Sequence, residues 1–113
     1  MEALNYEYEG VVLMQINATN NNGQVIVTLI GSMYVEEAAI LREKMIGFME
    51  SGHKEFIIKL NGVDYIDSSG LGALVAIQKR ALQMKGGVTL VGAHGLVKEL
   101  FELTRLNKVF AMQ

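Results

Sequence analysis

The 113-residue sequence has no cysteine and no proline. Without cysteine there is no disulfide, no thiolate zinc site and no cysteine nucleophile, and nothing points to an oxidising compartment. Without proline there is no proline kink and no polyproline recognition segment, so turns fall to Asn and to Gly, of which there are 12, above the average share of about 7%. A basic excess is missing too: 10 Lys+Arg face 12 Asp+Glu, a formal charge of -2. That balance argues against sequence-independent nucleic-acid binding, which needs a basic footprint. The longest mostly apolar runs, Val25–Ile30 and Gly70–Ile77, fall far short of the ~20 residues that cross a bilayer. The first ten residues carry Glu2, Glu7 and Glu9 and no Lys or Arg, unlike the basic start of a secretory signal. What is present is 50% hydrophobic and 19% charged, a globular composition. At about 150 residues per domain, one domain over residues 1–113 is expected, and the expected location is the cytoplasm.

Hydrophobic period orders the chain. Val11–Asn17 and Gln24–Ile30 read as strands, and Thr19-Asn20-Asn21-Asn22-Gly23 between them suits the positive φ of a hairpin turn, so the two are expected to pair antiparallel. Both faces of the second are apolar or β-branched, as in a strand covered on both sides. From Tyr34 to Glu50 the residues Tyr34, Ala38, Leu41, Met45 and Phe48 form one helical seam, with Glu36, Glu43 and Glu50 opposite; Ser51-Gly52 stops it. Phe56, Ile57, Ile58 and Leu60 make a strand, and Asn61-Gly62 reads as the start of a loop. A second helix is predicted from Ser69 to Lys85, with Leu74, Ile77, Ala81 and Met84 inward and Gly86-Gly87 as its stop. Val88–Val91 is a short buried strand. Leu96, Val97, Leu100, Phe101 and Thr104 mark a third helix, and Val109, Phe110 and Met112 leave room for a last strand. The order β-β-α-β-α-β-α implies an α/β domain: a mixed sheet opened by an antiparallel hairpin, with helices packed on it.

Catalytic patterns are sparse. There is no phosphate loop, dinucleotide fingerprint, zincin motif or nucleophile elbow, and no cofactor or metal is expected. His53 and His94 stand alone at element ends. Ser68, His94 and Asp64 have the residue types of a hydrolase triad, but a triad is defined by geometry. Asp64 and Asp67 alone are a weak case for Mg²⁺. Asn17-Ala18-Thr19 matches a glycosylation sequon without a secretory context.

One stretch stands apart. Tyr65-Ile66-Asp67-Ser68-Ser69-Gly70-Leu71-Gly72 lies where an apolar segment hands over to a helix. Asp67 or Ser68 suits an N-cap, and Gly70 and Gly72 allow close packing. The free amides and dipole of a helix start also favour a negative group there, so phosphorylation would add about −1.5 to −2 charges without necessarily melting the helix, although Asp67 beside it would oppose that charge. Asp67-Ser68-Ser69-Gly70-Leu71-Gly72 closely resembles the phosphorylation motif of the STAS (sulfate transporter and anti-sigma-factor antagonist) family. Leu29-Ile30-Gly31 resembles the strand end before the family's first helix, Phe56-Ile57-Ile58-Lys59-Leu60 its central strand, Gly86-Gly87-Val88-Thr89-Leu90-Val91-Gly92 its following strand and Val97 to Leu106 its Leu-rich third helix, so the likeness extends over nearly the whole chain.

With no membrane spans, the chain resembles the stand-alone bacterial anti-sigma-factor antagonists. That resemblance implies partner switching in transcription regulation. The unphosphorylated protein binds a serine-kinase anti-sigma factor or similar switch kinase, the kinase phosphorylates Ser68, and a PP2C-type phosphatase resets it. The protein is then a substrate and ligand, not an enzyme. The alternatives are a never-phosphorylated adaptor of a transporter complex and a small serine hydrolase. Two departures from the family pattern stand out: Tyr34 replaces an acidic residue associated with kinase and phosphatase engagement, and Gly95 replaces a Pro before the third helix. At about 100° per residue, Ser68, Gly72, Val75 and Lys79 share one side of the second helix, bordered by Ala76. With Tyr34, these are the expected partner-binding residues.

Overall fold

The computed structural model describes the backbone of residues 2–8 and 11–113 and the side chains from residue 14 onward. The apolar side chains expected of Val11 and Leu13 therefore lie outside the described residues. Six strands form one sheet in sequence order: β1 (Glu2–Tyr8), β2 (Val11–Asn21), β3 (Gln24–Met33), β4 (Glu55–Ile66), β5 (Gly87–Val91) and β6 (Ala111–Met112). The first three run antiparallel to their neighbours, and β3 to β6 are parallel. The helices are α1 (Val35–Glu50), α2 (Ser68–Gln83) and α3 (Gly95–Leu103), with a 3₁₀ turn at Leu106–Lys108. The expected β2–β3 hairpin is present, closed by Asn22 and Gly23 at φ 54° and 85°. A further strand, β1, precedes it. No helix among the described residues is long and apolar enough to cross a membrane.

Val25, Val27 and Leu29 of β3 are buried, but Ile26 and Thr28 are only partly so and Ile30 is 44% exposed. The expectation of a strand covered on both faces is thus corrected. The units β3–α1–β4 and β4–α2–β5 step the same way along the sheet, and right-handed crossovers in one direction place their helices on one face. There α1 and α2 pack against each other.

The expected loop at Asn61-Gly62 is also corrected. These residues lie inside β4, at the first of two places where β4 advances one residue further than β3. Each extra residue is a bulge. The bulges explain why the inward residues Phe56, Ile58 and Leu60 are two apart, whereas Leu60, Val63 and Ile66 are three apart. Gly62 suits the first bulge, because a Cβ there would come within 3.2 Å of the Leu29 carbonyl.

Helix α1 buries Ala38, Leu41, Met45 and Met49. Tyr34, read as the first residue of this seam, is instead the extended N-cap and 46% exposed. Its N–H donates to Oε1 of Glu37 at 2.9 Å, the return half of a capping box, which accounts for a glutamate only 3% exposed. In α2, Leu74, Ile77 and Ala81 are buried as expected, whereas Met84 is the C-cap. The buried Gln78 accepts from the Val88 N–H at 2.8 Å and donates to the Val109 carbonyl at 2.9 Å. The terminal strand is only Ala111–Met112, so Val109 and Phe110 lie outside it, and Phe110 is buried with its ring 6.0 Å from that of Phe101.

Candidate functional site: the start of the second helix

Strands β3 and β4 end side by side, with Met33 opposite Ile66. Each hands directly to a helix, so Tyr34 and Asp67 are neighbouring N-caps, tied by the Asp67 N–H donating to the Met33 carbonyl at 3.2 Å. The parallel pairing thus brings two helix starts, with their unpaired amides, to one end of the sheet.

Asp67 caps α2 by accepting the Gly70 N–H on Oδ1 at 3.0 Å. The helix opens at Ser68, next to the expected Ser69. Ser68 is exposed and Ser69 partly buried. Gly70 is buried, and a Cβ there would collide with Cγ1 of Ile66 and come within 3.0 Å of Met33 Sδ. Leu71 is core. Gly72 differs in kind: it is exposed, and nothing lies within 4 Å of where its Cβ would be. Lys79 is exposed, and Val75 and Ala76 are partly buried, with Val75 packed against the core edge. The motif thus divides into residues the fold requires (Asp67, Gly70, Leu71) and residues it leaves outward (Ser68, Gly72). Asp67→Ala is expected to lower stability by about 1 kcal/mol, as loss of a cap does, and the thermal midpoint by about 4 °C; Asp67→Asn should restore most of it. A melt followed by circular dichroism checks both.

The exposed Tyr34 ring lies 5.4 Å from that of Tyr65, tilted by 37°. The sequence marks Tyr65 only as the first residue of the stretch that leads into the second helix. Its pairing with Tyr34 follows from the second bulge of β4, which sets Ser32 opposite Tyr65, and no local pattern in the sequence marks that slip. Asp64 is exposed on β4. His94 is the N-cap of α3, and its Nε2 lies 2.8 Å from the Asn61 carbonyl. The ring thus engages the backbone at the β4 bulge, a structural tie that gives no support to a triad with Ser68. No group of three metal-ligating side chains forms among the described residues.

The model of the STAS domain matches residues 15–113. The anti-sigma-B factor antagonist of Bacillus subtilis (strain 168) is 29% identical over 96 residues, 85% of this chain and 87% of that protein. The crystal structure of an anti-sigma factor antagonist from Mycobacterium paratuberculosis superposes with a TM-score of 0.78 at 20% identity, covering 88% of this chain and 84% of the other. The unphosphorylated form of the anti-sigma factor antagonist SpoIIAA superposes with a TM-score of 0.71 at 15% identity, over 87% of this chain and 86% of its own. The phosphorylated form of the Bacillus protein gives 0.71 at 16%, over 87% and 90%. The matched span runs from within β2 through all three helices to the last residue, and the chain belongs to the STAS domain family.

Proposed function

We propose that this protein is an anti-sigma-factor antagonist that works by partner switching. Its unphosphorylated form docks a switch kinase on the Ser68 side of α2, phosphorylation of Ser68 releases that kinase, and a PP2C-type phosphatase restores the docking form. The whole chain acts as one STAS unit in the cytoplasm, as substrate and ligand and not as a catalyst. The names of its relatives support the role. The observation that carries the site is the open Gly72 one turn after the exposed Ser68 on the same side of α2.

A glycine inside a helix costs about 1 kcal/mol relative to alanine. The fold gives no return for it at Gly72, where a side chain would meet open space. A partner's close approach does, because each added heavy atom on that side holds the partner away. Ser68, one turn earlier on the same side and exposed, then places its phosphate inside the contact. Tyr34, the aromatic N-cap beside it, extends the surface and sets which kinase fits.

The test is binding of a serine-kinase anti-sigma factor from the same organism, by calorimetry. Gly72→Arg and Ala76→Arg are each expected to weaken it at least about 30-fold, the scale of truncating or blocking an interface hot spot, with little change in the thermal midpoint. Gly72→Ala should raise the midpoint by up to about 4 °C. Gly47→Ala, at another exposed helical glycine with open space around it, should do the same without touching affinity. Unchanged affinity in both arginine variants rules out this docking face.

A further inference from the structure

A narrow groove of about 30 Å³ runs between α1 and α2, lined by Arg42, Ile46, Ala76, Ile77 and Arg80. Its walls are apolar and its two charged residues are both arginines, exposed at the surface. Among the described residues, no carboxylate pairs with either guanidinium. Lys79, also exposed, follows on the adjacent side. In a chain of net charge -2, this is a local reversal: cations gather on the helix pair, while Glu36, Glu43 and Glu50 of α1 lie on the opposite side of its apolar seam.

We propose that this groove holds an acidic side chain of the docked kinase, an Asp or Glu carboxylate seated between Arg42 and Arg80. The inference rests on the docking reading above and deepens it. Ala76 belongs both to the Ser68 side of α2 and to the groove, so the two surfaces are continuous. At about 1.5 Å per residue, Ala76 lies about 12 Å along the helix from Ser68, and a partner burying about 800 Å² of this protein reaches both. Arginine suits the task because its planar fork meets a carboxylate with two parallel hydrogen bonds, and the small Ala76 leaves the floor open to a short acidic side chain. The spacing separates two jobs. At about 8 Å of screening length in physiological salt, a phosphate on Ser68 leaves the groove's field largely unchanged. The groove therefore contributes the same increment of affinity in both states, while Ser68 decides whether the kinase stays bound.

The experiment is calorimetric binding of the same kinase at about 50 mM and about 300 mM salt, a range over which exposed charge pairs are strongly screened. The chains compared are native, Arg42→Gln/Arg80→Gln and Arg42→Lys/Arg80→Lys. The glutamine pair is expected to bind about 10- to 30-fold more weakly at low salt, as loss of a charged interfacial contact does, and to lose most of the salt dependence. The lysine pair should keep the salt dependence with part of the affinity. The same factor should appear in a Ser68→Asp background. Native affinity and native salt dependence in the glutamine pair, with Gly72→Arg still blocking binding, overturns the groove and leaves the docking face standing. Native binding in Gly72→Arg as well overturns both. Thermal midpoints on the same samples, expected unchanged for exposed positions, show that each variant is folded.

Discussion

Ser68→Asp is expected to bind the switch kinase at least about 100-fold more weakly than the native chain, a change of about 2.7 kcal/mol. Ser68→Ala should bind like the native chain. Ser68 sits at the first position of α2 and is exposed. A carboxylate or phosphate there is compatible with the folded domain, because the helix start carries partial positive charge. It is not compatible with a partner that dries the same surface, since a desolvated charge left unpaired costs several kcal/mol. Incubation with the kinase and ATP followed by intact mass should add one phosphate to the native chain and to Ser69→Ala, and none to Ser68→Ala. Phosphate on Ser68→Ala, or its loss in Ser69→Ala alone, overturns the assignment. A native chain that binds the kinase but is never modified favours a constitutive adaptor, with Tyr34 in the position where relatives are expected to carry an acid.

The second large effect lies away from the docking face. Gly86→Ala is expected to cost about 3 kcal/mol, the upper range for forced overpacking, and to lower the thermal midpoint by about 10 °C. A Cβ on Gly86 would run into the carbonyl of Lys54, while the next residue, Gly87, donates its N–H to that carbonyl at 2.9 Å. The obstacle is backbone on both sides and cannot swing away. The left-handed residue of this helix end is the neighbouring Lys85, at φ 66°; the Gly86 N–H reaches back to the Ala81 carbonyl and the Lys85 N–H to that of Leu82, a Schellman ending. Lys85→Gly should therefore raise the midpoint by a few degrees, since a non-glycine residue in that region costs about 1 kcal/mol. Scanning calorimetry of the two variants checks the pair. A midpoint for Gly86→Ala at or above the native one contradicts the close approach.

How much of this was legible depended on the distance over which each feature is decided. The helices were readable because four or five inward residues in each repeat at helical spacing, and Ser51-Gly52 ends α1 with Gly52 at φ 97°, as its composition suggests. The motif was readable as a helix start because Asp67 acts within three residues of itself. The course of β4 was not. Asn61-Gly62 is an ordinary turn pair by local preference, and only its pairing with β3 converts it to a bulge. Tyr34 was misplaced in the seam for a related reason: its spacing fits the period, but the period says nothing about which residue is still extended. The Arg42–Arg80 juxtaposition needs the crossing of two helices, which no one-dimensional pattern contains. Gly72 was visible as small; that its smallness serves nothing inside the domain required its surroundings.

The amide of Gln78 holds α2 at mid-length to two different neighbours, the N–H of Val88 in β5 and the carbonyl ahead of Phe110. A helix pinned in this way cannot roll or slide without stranding a buried donor, a loss of about 1–3 kcal/mol. On the docking reading proposed above, α2 is presented ready-made, with little ordering entropy to surrender on encounter. Information written at Ser68 then travels as charge alone: the modified and unmodified molecules are expected to share one backbone, and the partner distinguishes them by electrostatic fit instead of by shape.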